Sequence, residues 1–80
     1  MKAIVWSKVN CPYCVSASVL LRSKGYEVEE RKIGSGWTKE QLIESVPMAR
    51  TVPQIFIGDE YIGSYDDLVR HFGASKNETT

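Results

Sequence analysis

A short apolar run, Ala3-Ile4-Val5-Trp6, is followed almost at once by Pro12 and then by a stretch rich in apolar residues at helical spacing. Four apolar residues without alternation fit a strand buried on both faces. Proline fits the first position of a helix, where the amide it lacks would have had no intrahelical partner. A strand must therefore give way to a helix at Asn10-Cys11, and this junction organises everything that follows. Val15, Ala17, Val19, Leu20 and Leu21 are expected to form a wide apolar face on the helix. Arg22 and Lys24 suit its last turn, and Gly25 its stop.

Residues from Tyr26 to Ile33 read as a second strand, but Glu27, Glu29, Glu30, Arg31 and Lys32 make it strongly polar. That much charge suits an edge strand, where it discourages pairing with other chains. After the loop Gly34-Ser35-Gly36, Thr38 opens a second helix, with Gln41 three residues on as a capping box. Trp37 and Leu42 occupy the two positions of a hydrophobic staple, and Pro47 ends or kinks the helix. Gln54-Ile55-Phe56-Ile57 and Glu60-Tyr61-Ile62 read as two strands of a hairpin around Gly58-Asp59. Ser64 can cap a last helix with Asp66 and Asp67 in its first turn and Leu68, Val69 and Phe72 facing inward. The order of elements predicts an α/β fold, a mixed four-stranded sheet flanked by three helices on its two faces. The folded domain is expected over residues 1–73, with 74–80 a polar, frayed and disordered tail.

Eighty residues make one domain. Ten Lys and Arg balance ten Asp and Glu, so there is no general attraction for nucleic acid or an anionic membrane. No apolar run approaches the roughly 20 residues of a membrane span. The start of the chain reaches Ser7 and Lys8 too soon for a secretory signal. A secreted scaffold of this size usually carries several widely spaced cysteines, whereas this chain has two, three positions apart. A bridge between them closes almost no loop and adds little stability through chain entropy. A cytoplasmic, reducing setting is expected. Tetrahedral zinc wants four ligands, and Cys11, Cys14 and the single histidine, His71, leave a site short by one. No metal is expected, and His71 reads as a surface or capping residue.

The alternative to incidental buried cysteines is redox chemistry. Thiol–disulfide exchange needs a thiolate, and unpaired amides at a helix N-terminus, with the positive end of the helix dipole, favour that anion at Cys11. Lys8 is near in sequence and adds positive charge. Cys14 lies one turn along the same side of the helix, within reach of a mixed disulfide on Cys11. The expected roles are Cys11 as nucleophile and Cys14 as resolving thiol. Pro12 stiffens the first turn, and Tyr13 offers a flat surface beside the sulfur.

Three stretches together resemble the dithiol glutaredoxins of the thioredoxin superfamily, over nearly the whole chain from Ile4 to about Phe72. They are Ser7-Lys8-Val9-Asn10-Cys11-Pro12-Tyr13-Cys14, Arg50-Thr51-Val52-Pro53-Gln54-Ile55-Phe56-Ile57 and Ile62-Gly63-Ser64-Tyr65-Asp66-Asp67-Leu68. The resemblance implies a thioredoxin-like fold and a glutathione-dependent reductase of protein disulfides and glutathione mixed disulfides. By resemblance, Pro53 follows a cis bond, and Val52 offers its backbone to the cysteinyl part of glutathione as an added strand would. Lys8 and Tyr13 match positions near the glycyl carboxylate. The amides of Tyr65 and Asp66 match those receiving the γ-glutamyl carboxylate, and the Asp67 side chain matches one that meets the ammonium group. Thr51 and Arg50 line the same region. Trp6 and Trp37 read as structural, and Tyr61 as a half-buried strand-end aromatic.

The resemblance further implies a monomer with no tightly bound cofactor, glutathione being a co-substrate. Ribonucleotide reductase and glutathionylated proteins are the implied clients. Two alternatives stand beside it: a glutaredoxin-like donor fed by thioredoxin reductase, and a dimer bridging an iron–sulfur cluster through Cys11 and glutathione. Pro12 disfavours the second, since cluster-binding relatives tend to have a small residue there. Two departures from the family pattern are Ser64 in place of a second glycine, and a loop at 34–37 without the usual acidic residue.

Overall fold

A computed structural model describes residues 1–77, the side chains of 74–77 excepted. Its elements are β1 (Lys2–Ser7), α1 (Pro12–Ser23), β2 (Glu27–Lys32), α2 (Lys39–Ser45), β3 (Gln54–Ile57), β4 (Glu60–Gly63) and α3 (Tyr65–Asn77). The four strands form one sheet in the order β2-β1-β3-β4. β1 runs parallel to β2 and antiparallel to β3, and β4 returns antiparallel to β3. This is the mixed four-stranded sheet with three helices expected from the order of elements. The expected tail over 74–80 begins within the last turn of α3, and 78–80 lie outside the described residues.

Alternation along the central strands divides the core in two. Ala3 and Val5 of β1 and Ile55 and Ile57 of β3 pack with Ala17 and Leu21 of α1 and Leu68 of α3. Trp6, in the alternate set, clusters with Leu42 and Val46 at α2, with Ile4, Trp37 and Phe56 against it. Side chains two apart share a face of a strand, so one apolar run supplies both layers. Full burial of a residue such as Leu21 or Leu68 is worth about 1.5–3 kcal/mol.

The sheet-facing stripe of α1 is Cys14, Ala17, Ser18 and Leu21, each three or four residues from another on the same face. Val15 and Val19, expected on the apolar face, are instead 62% and 58% exposed, because they lie to one side of that stripe. Val69, also expected inside, is 42% exposed, while Leu68 is fully buried and Phe72 partly so.

β2 is an edge strand, and its charges are organised rather than merely solvated. Glu29 takes Lys2 Nζ at 2.7 Å and Arg31 Nε at 2.6 Å. These cations hold the Glu29 carboxyl below its ordinary titration range, the Lys2 hydrogen bond first. The Arg31 guanidinium lies over Trp37 at 4.4 Å and over Trp6 at 5.2 Å, while the two indoles meet edge-on at 5.3 Å. A flat cation on two rings lets a charged strand cover apolar surface that α2 leaves open.

The predicted caps hold. Thr38 Oγ1 accepts the Gln41 amide at 3.1 Å and Gln41 Oε1 accepts the Thr38 amide at 2.8 Å, closing the capping box of α2. Trp37 and Leu42 share one cluster, as a staple requires. α2 stops at Ser45, two residues before Pro47, where the ring disfavours further helical backbone. Among the described residues no helix is long and apolar enough to cross a membrane.

Candidate active site

The register of the sheet brings three distant segments to one end. Trp6 lies opposite Gln54, so the end of β1 and the start of β3 are adjacent. Ile55 pairs with Gly63, which sets the end of β4 and the start of α3 beside them. The loop 8–11, the turn 50–53 and the first turn of α3 therefore meet at this edge, although more than fifty residues separate the first from the last.

Cys11 is the N-cap of α1, in extended backbone with φ −120° and ψ 93°. Its sulfur accepts the Cys14 amide at 3.3 Å, so an atom that can carry charge occupies the place a Ser or Asp oxygen takes in other helices. No acidic residue stands in the first turn of α1. Asn10, just before, sits in the left-handed region at φ 58°, a conformation its short polar side chain tolerates better than most. Cys11 and Cys14 are joined in a disulfide, with Cα atoms 5.3 Å apart. Cys11 is partly exposed and Cys14 is 1% exposed, so one sulfur faces solvent and the other the core.

Across from the disulfide the Val52–Pro53 peptide is cis. The Val52 carbonyl oxygen lies 3.9 Å from Cys11 Sγ. Val52 also lines a cavity of about 220 Å³ with Tyr13, Thr51, Pro53, Ser64, Tyr65 and Asp66. Six of the residues singled out from sequence thus share one wall. The Tyr13 and Tyr65 rings stand side by side there, centroids 5.6 Å apart. Lys8 is outside this cavity. It borders a second hollow with Cys11, Cys14 and Glu30, and a third, between α2 and the turn, with Lys39, Arg50 and Thr51.

Gln54 reads from the sequence as an ordinary position of a strand, yet it holds the turn in place. It is 5% exposed; its Nε2 donates to the Thr51 carbonyl at 2.8 Å and its Oε1 accepts the Tyr61 hydroxyl at 2.6 Å. These bonds pin the turn that carries Val52. The available signal was a polar amide in an otherwise apolar strand directly after proline. Tyr61 is 48% exposed with its ring against Phe56. Burial, and secondarily the charge of Asp67, push its hydroxyl above the ordinary value.

Asp67 lines none of these hollows. Its Oδ2 accepts the Ser64 amide at 3.0 Å and the Ser64 hydroxyl at 3.1 Å, and its Oδ1 takes Arg70. Ser64 Oγ accepts the Asp67 amide at 3.4 Å in return, and the Ser64 carbonyl accepts the Leu68 amide at 3.0 Å. Ser64 is the N-cap of α3, and Asp67 completes a reciprocal box. The Ser64 bonds hold the Asp67 carboxyl below its ordinary range, with Arg70 adding to them. Trp6 and Trp37 are structural, as expected, and His71 is exposed. No group of three or more His, Cys, Asp or Glu among the described residues is arranged to hold a metal ion.

These features agree with what is known of other proteins. The Glutaredoxin family model matches residues 3–62. Glutaredoxin 3 of Escherichia coli is 43% identical over 65 residues, 80% of this chain and 77% of its own length. Hybrid peroxiredoxin hyPrx5 of Haemophilus influenzae is 40% identical over 68 residues, 85% of this chain, and the match spans 28% of that longer protein. The dithiolic glutaredoxin 2-C-Grx1 of Trypanosoma brucei brucei superposes with a TM-score of 0.76 at 32% identity, covering 96% of this chain and 82% of that one. A buckwheat glutaredoxin–glutathione complex gives 0.73 at 25% identity, over 95% and 73%. With its thioredoxin-like sheet and its Cys11–Cys14 pair at the head of α1, this chain belongs to the glutaredoxin family of thiol–disulfide oxidoreductases.

Proposed function

We propose that the chain reduces protein disulfides and glutathione mixed disulfides, with glutathione as the source of electrons. The observation that carries this reading is the cavity beside Cys11. Its wall unites Tyr13, Thr51, Val52, Pro53, Tyr65 and Asp66, six of the eight positions at which the family pattern implies glutathione contacts. The buckwheat relative, of the same fold, has been solved with glutathione bound.

In the proposed cycle the Cys11 thiolate attacks a sulfur of the substrate disulfide. A new bond forms to that sulfur, the old S–S bond breaks, and the departing thiolate takes a proton. From a protein disulfide, Cys14 then attacks Cys11, releasing the client dithiol and leaving the Cys11–Cys14 disulfide seen here. Two glutathione molecules restore the dithiol and leave as glutathione disulfide, so two electrons pass in each turn. From a glutathionylated protein, Cys11 alone suffices: it accepts the glutathionyl group and a second glutathione removes it. The Val52 backbone, in the turn ahead of β3 with its carbonyl oxygen 3.9 Å from Cys11 Sγ, is suited to pair with the peptide of glutathione. The cycle requires no other subunit and no bound cofactor. It suits a cytoplasmic setting, where the glutathione pool is reducing; ribonucleotide reductase and glutathionylated proteins are the clients proposed.

A coupled assay tests this directly. Glutathione with glutathione reductase should sustain turnover of a glutathione mixed disulfide, and thioredoxin reductase alone should not. Turnover with thioredoxin reductase and none with glutathione would transfer the chain to the other kind of donor.

A further inference from the structure

Tyr61 stands on the edge strand β4 and lines neither the cavity nor the hollow beside the disulfide. A line of two hydrogen bonds nevertheless runs from its hydroxyl to the cavity wall. The hydroxyl donates to Gln54 Oε1 at 2.6 Å, and Gln54 Nε2 donates to the Thr51 carbonyl at 2.8 Å. Thr51 and Val52 belong to that wall. The polarity of the line is set by its far end. A carbonyl only accepts, so the Gln54 amide turns its nitrogen to Thr51 and its oxygen to Tyr61, which must donate. Gln54 is 5% exposed, and an oxygen left there without a donor costs free energy. The Tyr61 ring is fixed in turn, since it lies against Phe56, its partner in the β3–β4 register, with centroids 5.3 Å apart. Among the described residues no backbone–backbone hydrogen bond ties residues 50–53 to the sheet, so the Gln54 side chain supplies that tie.

We infer that Tyr61 is a positioning residue for the cavity, acting through Gln54 to hold the Thr51–Val52 wall where its backbone meets a peptide ligand. This rests on glutathione being that ligand. A wall already in place spares the ligand the cost of ordering it, so the benefit falls on binding. The attacking sulfur belongs to α1, whose cap is made with the Cys14 amide and not with the turn. The chemical step is therefore left to Cys11, and Tyr61 acts on KM.

The test measures steady-state kinetics with a reporter peptide carrying a glutathione mixed disulfide, at fixed glutathione with its reductase. Wild type would be compared with Tyr61→Phe, Gln54→Met and the double variant. Tyr61→Phe keeps the ring on Phe56 and removes only the donor, while Gln54→Met keeps the length of the side chain and removes both bonds. Each should raise KM by about threefold to tenfold with kcat kept, the scale of one hydrogen bond. In the double variant the KM should stay within about twofold of that of Gln54→Met, because residues acting through one line are not additive. A lowered melting temperature with unchanged KM in both single variants would overturn the inference, leaving Tyr61 a structural residue. Independent effects that multiply in the double variant would overturn it as well. If the wild type did not turn over the disulfide with glutathione, the glutathione reading itself would fail and take the inference with it.

Discussion

The first turns of α1 and α3 lie side by side at the end of the sheet and use the same resource in opposite ways. Each offers unpaired amides, and each is capped by the side chain of its N-cap residue. In α1 the cap is Cys11 Sγ, accepting the Cys14 amide at 3.3 Å, with no acidic residue in the turn. In α3 the cap is Ser64 Oγ, and Asp67 closes the box in return. A turn closed by a hydroxyl cap and a reciprocal carboxylate is held in place and takes no part in bond exchange. A turn whose amides are answered by a thiol keeps its field for an anion that forms and disappears during the reaction. The difference teaches that a helix start becomes chemical through what is left out of it as much as through what is put in.

The largest effect on this comparison is expected from Gly63, which precedes the α3 cap. Its φ of 119° is one that residues with a Cβ rarely adopt, and a Cβ there would lie 2.9 Å from Asp67 Cγ. Gly63→Ala should cost about 1–3 kcal/mol in urea unfolding, because backbone strain and a displaced capping carboxylate act together. Ser64→Ala should cost about 1 kcal/mol, the ordinary worth of a cap. That loss depends on pH with a definite sign. The folded Asp67 carboxyl titrates below its ordinary value of 3.8, so its stabilisation is present above that pH and drains away as pH falls through the folded value. The gap between wild type and Ser64→Ala should therefore be widest near neutrality and narrow below about pH 4. A gap that widened on acidification would contradict the box.

The smallest effect reverses the logic on α1. Val15→Glu puts a carboxylate near Cys11 at an exposed position. Stability should change by less than about 0.5 kcal/mol, while alkylation of the reduced protein near pH 6 should slow by about threefold as the thiolate is disfavoured. Unchanged alkylation would mean that the acid-free turn is not what activates the sulfur.

Much of this site was legible from the chain itself, and what escaped did so for physical reasons. The strand-to-helix junction at Cys11, the Thr38–Gln41 box and the hairpin at Gly58 depend on neighbours a few residues away, so local chemistry sufficed. The docking angle of α1 is a tertiary quantity; five apolar residues mark an arc, and the sheet selected Cys14 and Ser18 over Val15 and Val19. The role of Gln54 was hidden because its partners, the Thr51 carbonyl and the Tyr61 hydroxyl, come to it only through the turn and the hairpin. By residue type alone Asp66 and Asp67 are both first-turn acids, told apart only by the roles the resemblance implies. Only the direction of each side chain from the helix separates the one that lines the cavity from the one that binds Ser64.

The central claim is that one sulfur attacks and the other resolves. Its most direct test is turnover of two substrates, a glutathione mixed disulfide and a protein disulfide, by Cys11→Ser and Cys14→Ser with glutathione and its reductase. Cys11→Ser should be inactive on both, and Cys14→Ser should retain the mixed-disulfide reaction while losing reduction of protein disulfides that need both thiols. Activity remaining in Cys11→Ser, with loss of both reactions in Cys14→Ser, would contradict the account.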